Sequence, residues 1–150
     1  MNEKTTHHSL KLLGKSILGK LENRKFIEVV PANRNALLDA FVQHLSRTVM
    51  TDENFTDRVR KEISNHADAI ADQNITETSA FQSRKRALKE QMGEHQLHGF
   101  YFQVPLREIV IRASKFFLDS TLVDEVFESD EALHKLMIEI IQNFDENKVS

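Results

Sequence analysis

His95 and His98 stand three residues apart beside Glu94, a spacing that on a helix sets two imidazoles on one side and could hold a divalent metal. A catalytic zinc needs three protein ligands and an open position, and no His-Glu-x-x-His pattern supplies the third. A polar helix end before Gly99 accounts for the pair more simply, so no metal and no other cofactor is expected. His44, His66 and His134 fall on or near apolar stripes, where a packed imidazole is the ordinary reading. The carboxylates Asp52-Glu53, Asp124-Glu125, Glu128 and Asp130-Glu131 cluster where helices begin, and capping and dipole effects explain them without acid–base chemistry. Serine nucleophile elbows and glycine-rich phosphate loops are missing. The chain has no cysteine, which removes disulfides, thiolate nucleophiles and thiolate metal sites together. A nucleophile, an orienting base and an oxyanion or metal partner are therefore not legible, and a non-enzymatic protein is expected.

Phosphate binding is the other chemistry within reach. Lys11, Lys15 and Lys20 lie on a first helix that continues into Arg24 and Lys25, and Arg84, Lys85, Arg86 and Lys89 form a second basic segment. Lysine and arginine supply most non-specific affinity for nucleic acid, so Lys11, Lys15, Lys20, Arg84, Lys85, Arg86 and Lys89 are the candidate phosphate contacts. Residues 119–146, in contrast, carry nine carboxylates against Lys135 alone. Opposite charges so segregated predict that the acidic stretch approaches one basic helix and leaves at most one basic strip open. The run from Leu10 to Leu21 also resembles a basic amphipathic helix lying on a membrane surface, although it lacks the Trp or Phe anchor such helices often carry.

The elements that would position these residues are set by a repeat. Phe26-Ile27-Glu28-Val29-Val30-Pro31 recurs as Phe100-Tyr101-Phe102-Gln103-Val104-Pro105, and the chain's only two prolines close the two copies. The offset is 74 residues from Phe26 to Phe100 and 78 from Thr51 to Ser129, so the second copy holds four more residues, about one helical turn. Helix A runs over about 9–23 on Leu10, Leu13, Ile17 and Leu21. Helix B follows Pro31, with Asn33 as its cap and Leu37, Leu38, Phe41, Val42, Leu45 and Val49 as its stripe. Its counterpart follows Pro105 with Ile109, Val110, Ala113, Phe116, Phe117 and Val123. Helix C opens at Thr51, with Phe55, Val59, Ile63, His66 and Ile70, and again at Ser129, with Leu133, Met137, Ile140, Ile141 and Phe144. The joint falls between Gln73 and Ala80, where helix propensity is poor; a continuous helix from 55 to about 97 is the competing reading. Few prolines and glycines make a mainly β chain untenable.

The expected architecture is mainly α: one compact domain spanning 1–150, built of two three-helix repeats over about 9–73 and 82–147. A minimal two-stranded ribbon between Phe26–Val30 and Phe100–Val104 would link the halves. Alternate side chains of an extended Phe100-Tyr101-Phe102 point opposite ways, which makes these three the candidate partner-binding residues. A net charge of -3 with no signal peptide or apolar span of about 18 residues suggests a cytoplasmic protein.

Phe26-Ile27-Glu28-Val29 behind Leu21 and Lys25, an amphipathic helix, and then Met50-Thr51-Asp52-Glu53-Asn54-Phe55 and Val59-Arg60-Lys61-Glu62-Ile63 resemble an uncharacterised bacterial family of small helical proteins, the domain of unknown function numbered five hundred and seven. The likeness covers about 10–73. It implies a helical fold and a bacterial cytosolic setting, and carries no activity or site residues. The expected function is a non-enzymatic adaptor or structural protein that binds another protein through helix faces. Nucleic-acid binding through the basic helices is the alternative, and exchange of halves with a second copy of the chain is a further partner expectation.

Overall fold

The computed structural model describes residues 3–92 and 96–145. Helix α1 (Glu3–Asn23) ends where Lys25 adopts a left-handed φ of 60°. There the Phe26 amide reaches back to the Leu21 carbonyl (2.9 Å) and the Lys25 amide to Glu22 (3.0 Å), a Schellman stop made without glycine. The chain then forms β1 (Ile27–Glu28), a 3-10 turn at Pro31–Asn33 and α2 (Arg34–Ser46). The expected Asn33 cap does not form, because Asn33 is itself αR and its side chain makes no capping bond. Instead its amide closes the 3-10 turn onto Val30, ahead of which Pro31 needs no partner for a missing N–H.

Strand β2 (Val49–Thr51) leads into α3 (Asp52–Asn65), where Thr51 and Asn54 form a reciprocal capping box. α3 stops at His66, and a short α4 (Ala67–Asp72) follows. Asn74 then takes a φ of 61° and a second Schellman turn closes onto Ile70 and Ala71. α5 (Glu77–Met92) begins only after it. A continuous helix from 55 to 97 is therefore excluded, and the joint lies where propensity placed it. Among the described residues the α4 turn raises the six expected helices to seven. The second half continues with β3 (Gln96–Leu97), β4 (Phe100–Phe102), α6 (Leu106–Asp119), β5 (Glu125–Val126) and α7 (Asp130–Gln142), whose cap is the Ser129 hydroxyl accepting from the Ala132 amide. The four extra residues do not lengthen helix B: α6 has 14 residues against 13 in α2, and the excess falls in the segment that carries β5.

The fold is mainly α, but its strands pair with partners other than those expected. β1 and β4, the two copies of the aromatic and β-branched segment, do not meet. β1 pairs antiparallel with β5, Ile27 opposite Val126, and β4 pairs with β2, Tyr101 opposite Met50. Each segment before helix B in one repeat thus pairs with the segment before helix C in the other. β3 adds an edge to β4 through a two-residue turn, His98 at φ 54° and Gly99 at φ 82°, the left-handed pair such hairpins demand.

Helices pack both within and between the repeats. α1 lies on α2, α6 on α7, α2 on α6 and α1 on α7, enclosing Leu13, Ile17, Leu21, Phe41, Phe117, Leu133 and Met137 in the main core. Gly14 lets α1 approach α2, since a Cβ there would lie 3.2 Å from Val42 Cγ2. α3 packs on α5 and forms a smaller lobe whose own core is Phe55, Val59 and Tyr101, with Met50, Ile63, Phe81 and Leu88 partly covering it. The expected stripe of helix C fades there: Ile63 and Ile70 are half-buried and His66 is exposed. No helix among the described residues is long and apolar enough to cross a membrane.

Candidate functional site

The aromatic run proposed as a docking segment is interior. Phe100, Tyr101 and Phe102 are all buried, because β4 is the central strand of its sheet and both of its faces are covered. The period of two sends Phe100 and Phe102 into the main core and Tyr101 into the lobe. The Tyr101 ring stacks on Phe55 (centroids 4.3 Å apart, 13°), and its hydroxyl donates to Asp52 Oδ1 at 2.8 Å. Burial, that hydrogen bond and the Asp52 charge push the hydroxyl up to about 12. Below its ordinary value near 10 the group is protonated in both folded and unfolded chains, and above that only the unfolded chain ionises. Stability is therefore expected to fall between pH 10 and about 12. As the chain has one tyrosine and no tryptophan, tyrosinate absorbance reads this group alone. A folded-state midpoint near the ordinary value would refute the account.

The two basic segments are held differently. On α5, Arg84 pairs with Glu62 (2.7 Å) and Lys85 with Asp52 (3.8 Å), while Lys85 and Lys89 also lie over the Phe81 and Tyr101 rings. Arg86 is exposed on the same helix. Lys11, Lys15 and Lys20 are exposed on α1 and form none of the ion pairs among the described residues. The acidic stretch does approach a basic helix, as charge segregation suggested, since α7 packs on α1, but the shared contact is apolar; the basic residues of α5 are met instead by Glu62 and Asp52 of α3. Lys11 and Lys15, one turn apart, stay open on one flank of α1, and Lys20 lies on the other.

His98 lies in the hairpin turn and not on a helix, and its Nε2 sits 2.8 Å from the Gln142 carbonyl oxygen. His95 and Glu94 lie outside the described residues. Among the described residues no group of three or more His, Asp or Glu side chains gathers to hold a metal.

One cleft was not singled out in the sequence. The C-terminal ends of α2 and α6 and the turn after α6 enclose a cleft of about 600 Å³, lined by His44, Arg47, Thr48, Arg112, Lys115 and Phe116 and closed by residues 119–122. Its floor is aromatic: His44 and Phe116 are half-buried with centroids 5.0 Å apart, and Phe41 stacks behind His44 at 6.3 Å. Burial, and then the charges of Arg47 and Arg112, hold the His44 imidazole below its usual range, so it is uncharged at neutral pH. The wall after α6 is fixed by the Ser120 hydroxyl, which accepts from the Leu122 amide at 3.2 Å. Arg112 pairs with Glu108 one turn away, whereas Arg47 and Lys115 form none of the ion pairs among the described residues. Beside the cleft the outer face of α6 carries Ile111 and Leu118, 37% and 49% exposed, two turns apart with Lys115 between them. Periodicity assigned α6 to the core correctly through Ile109, Val110, Ala113 and Phe117, but the expected Val123 lies beyond the helix end and Phe116 is half-buried; the signal it passed over was two further apolar residues off that stripe.

No protein-family model matches the chain, and no curated protein is similar to it.

Proposed function

We propose that the protein is a non-enzymatic adaptor that holds another protein on a helix face, the outer side of α6 together with the cleft at its end. The observation that supports this reading is the continuity of Ile111 and Leu118 with a cleft bearing Arg47, Arg112 and Lys115 over an aromatic floor. Single exposed apolar side chains are ordinary, but apolar anchors contiguous with arginines and an aromatic pocket have the composition of recognition surfaces. A cysteine-free chain is at home in a cytoplasmic setting. Partner capture from native cells tests the reading. Ile111→Asp with Leu118→Asp is expected to abolish capture of a protein retained by the wild type, and Phe127→Asp, an equally exposed residue elsewhere, is expected to retain it. The same proteins bound by all three chains would overturn the assignment.

A second reading is supported by the exposed lysines of α1. Nucleic acid held by Lys11, Lys15 and Lys20 would bind most strongly at about 50 mM salt and weaken steeply above it. With Arg84 and Lys85 of α5 paired to α3, no mobility shift is expected; a salt-sensitive shift would reverse the order of the two readings.

A further inference from the structure

We propose that the cleft between α2 and α6 is a binding site for a phosphomonoester, whose oxygens are held by Arg47, Arg112 and Lys115. The proposal rests on the reading of this cleft as part of the recognition surface and names the chemistry it reads. Three cations face one carboxylate, Asp119, across a partly enclosed space. The Arg112 pair with Glu108 is half-exposed on the same helix, so it is weak and can be exchanged for a better anion. Arginine forks match phosphate oxygens in pairs, and a phosphomonoester brings about two negative charges and three acceptors, which suits three donors better than a single carboxylate does. Thr48, Ser120 and Thr121 add hydroxyls at the wall, and the floor of Phe116, His44 and Leu122 takes the organic body of the ligand.

His44 makes the site self-reporting. The charged groups that face it are Arg47 from the end of its own helix and Arg112, Lys115 and Asp119 from α6. A dianion between the arginines cancels the two charges that, after burial, keep the imidazole deprotonated. Occupancy therefore raises the His44 pKa, and ligand binding takes up a proton.

Nuclear magnetic resonance titration of the full chain at low salt tests this with three probes: inorganic phosphate, O-phosphotyrosine and adenosine 5′-monophosphate. Saturable shifts are expected at the His44 ring and at the Thr48 and Thr121 amides, with the His44 midpoint moving upward on saturation. Arg47→Gln with Lys115→Gln, both exposed, is expected to weaken binding by roughly tenfold or more with an unchanged melting temperature. Tighter binding of O-phosphotyrosine identifies the source as a phosphorylated protein segment, and tighter binding of the nucleotide identifies a small metabolite. No saturable shift from any probe at about 10 mM, where a millimolar site would be filled, overturns the proposal. So does binding unaltered in the double variant. Partner loss on Ile111→Asp and Leu118→Asp with no phosphate shift sinks the phosphate site alone. Phosphate binding with undiminished partner capture in that variant sinks the adaptor face alone.

Discussion

Phe102→Ala is expected to lower stability by about 3–5 kcal/mol in denaturant unfolding, the range for emptying a large aromatic site in a packed core. Phe102 is 1% exposed, lies on the central strand opposite Val49, and points into the core that α1, α2, α6 and α7 enclose. A strand held on both edges cannot move inward to refill the void, so the cavity contribution adds to the lost transfer free energy. Phe127→Ala removes a ring of the same size that is 53% exposed and is expected to change stability by no more than about 0.5 kcal/mol. A small effect at Phe102, comparable to that at Phe127, would show that the aromatic run is not interior.

Tyr101→Ala is expected to act unevenly. Its ring and hydroxyl are what the sheet offers the lobe: the Phe55 stack, the bond to Asp52 and, through Asp52, the contact with Lys85. Among the described residues the lobe's apolar cluster otherwise has Phe55 and Val59 as its buried members, so losing Tyr101 removes much of what holds α3 and α5 to β4. Local opening of residues 52–91 should become easier by about 3 kcal/mol, raising amide exchange there roughly a hundredfold while α6 and α7 keep most of their protection. Tyr101→Phe keeps the stack and leaves Asp52 with its exposed side in water, for a cost of about 1 kcal/mol. Uniform loss of protection along the whole chain would show that the lobe and the bundle open as one unit.

Local chemistry was legible where it is decided locally. The Thr51 and Ser129 caps, the α1 stripe and the break after Gln73 depend on residues within a turn or two of each other, and periodicity or propensity finds such features. The strand partners were not legible. Phe26–Val30 and Phe100–Val104 share a pattern, and likeness suggested that they pair with each other. Pairing is settled by which segments the helices bring together, and here each lies beside the link before helix C of the other repeat. Charge pairing failed for the same reason, since composition showed the acidic stretch 119–146 but not that Glu62 and Asp52 would face α5. The cleft was invisible because its residues come from 44–48 and 112–122, over sixty positions apart, each stretch reading as an ordinary helix end.

The crossed strands have a consequence for how the chain holds together. Neither repeat owns a complete β1–β5 or β2–β4 pairing, so a half alone would present an unpaired strand and the exposed side of a helix C. Two separate halves would satisfy each other as a pseudo-twofold heterodimer, at a population set by their concentration. Residues 73–76, between α4 and α5, join them in one molecule. They replace that bimolecular requirement with an effective local concentration in the millimolar range, on the order expected for a short tether, and fix the stoichiometry at one of each half.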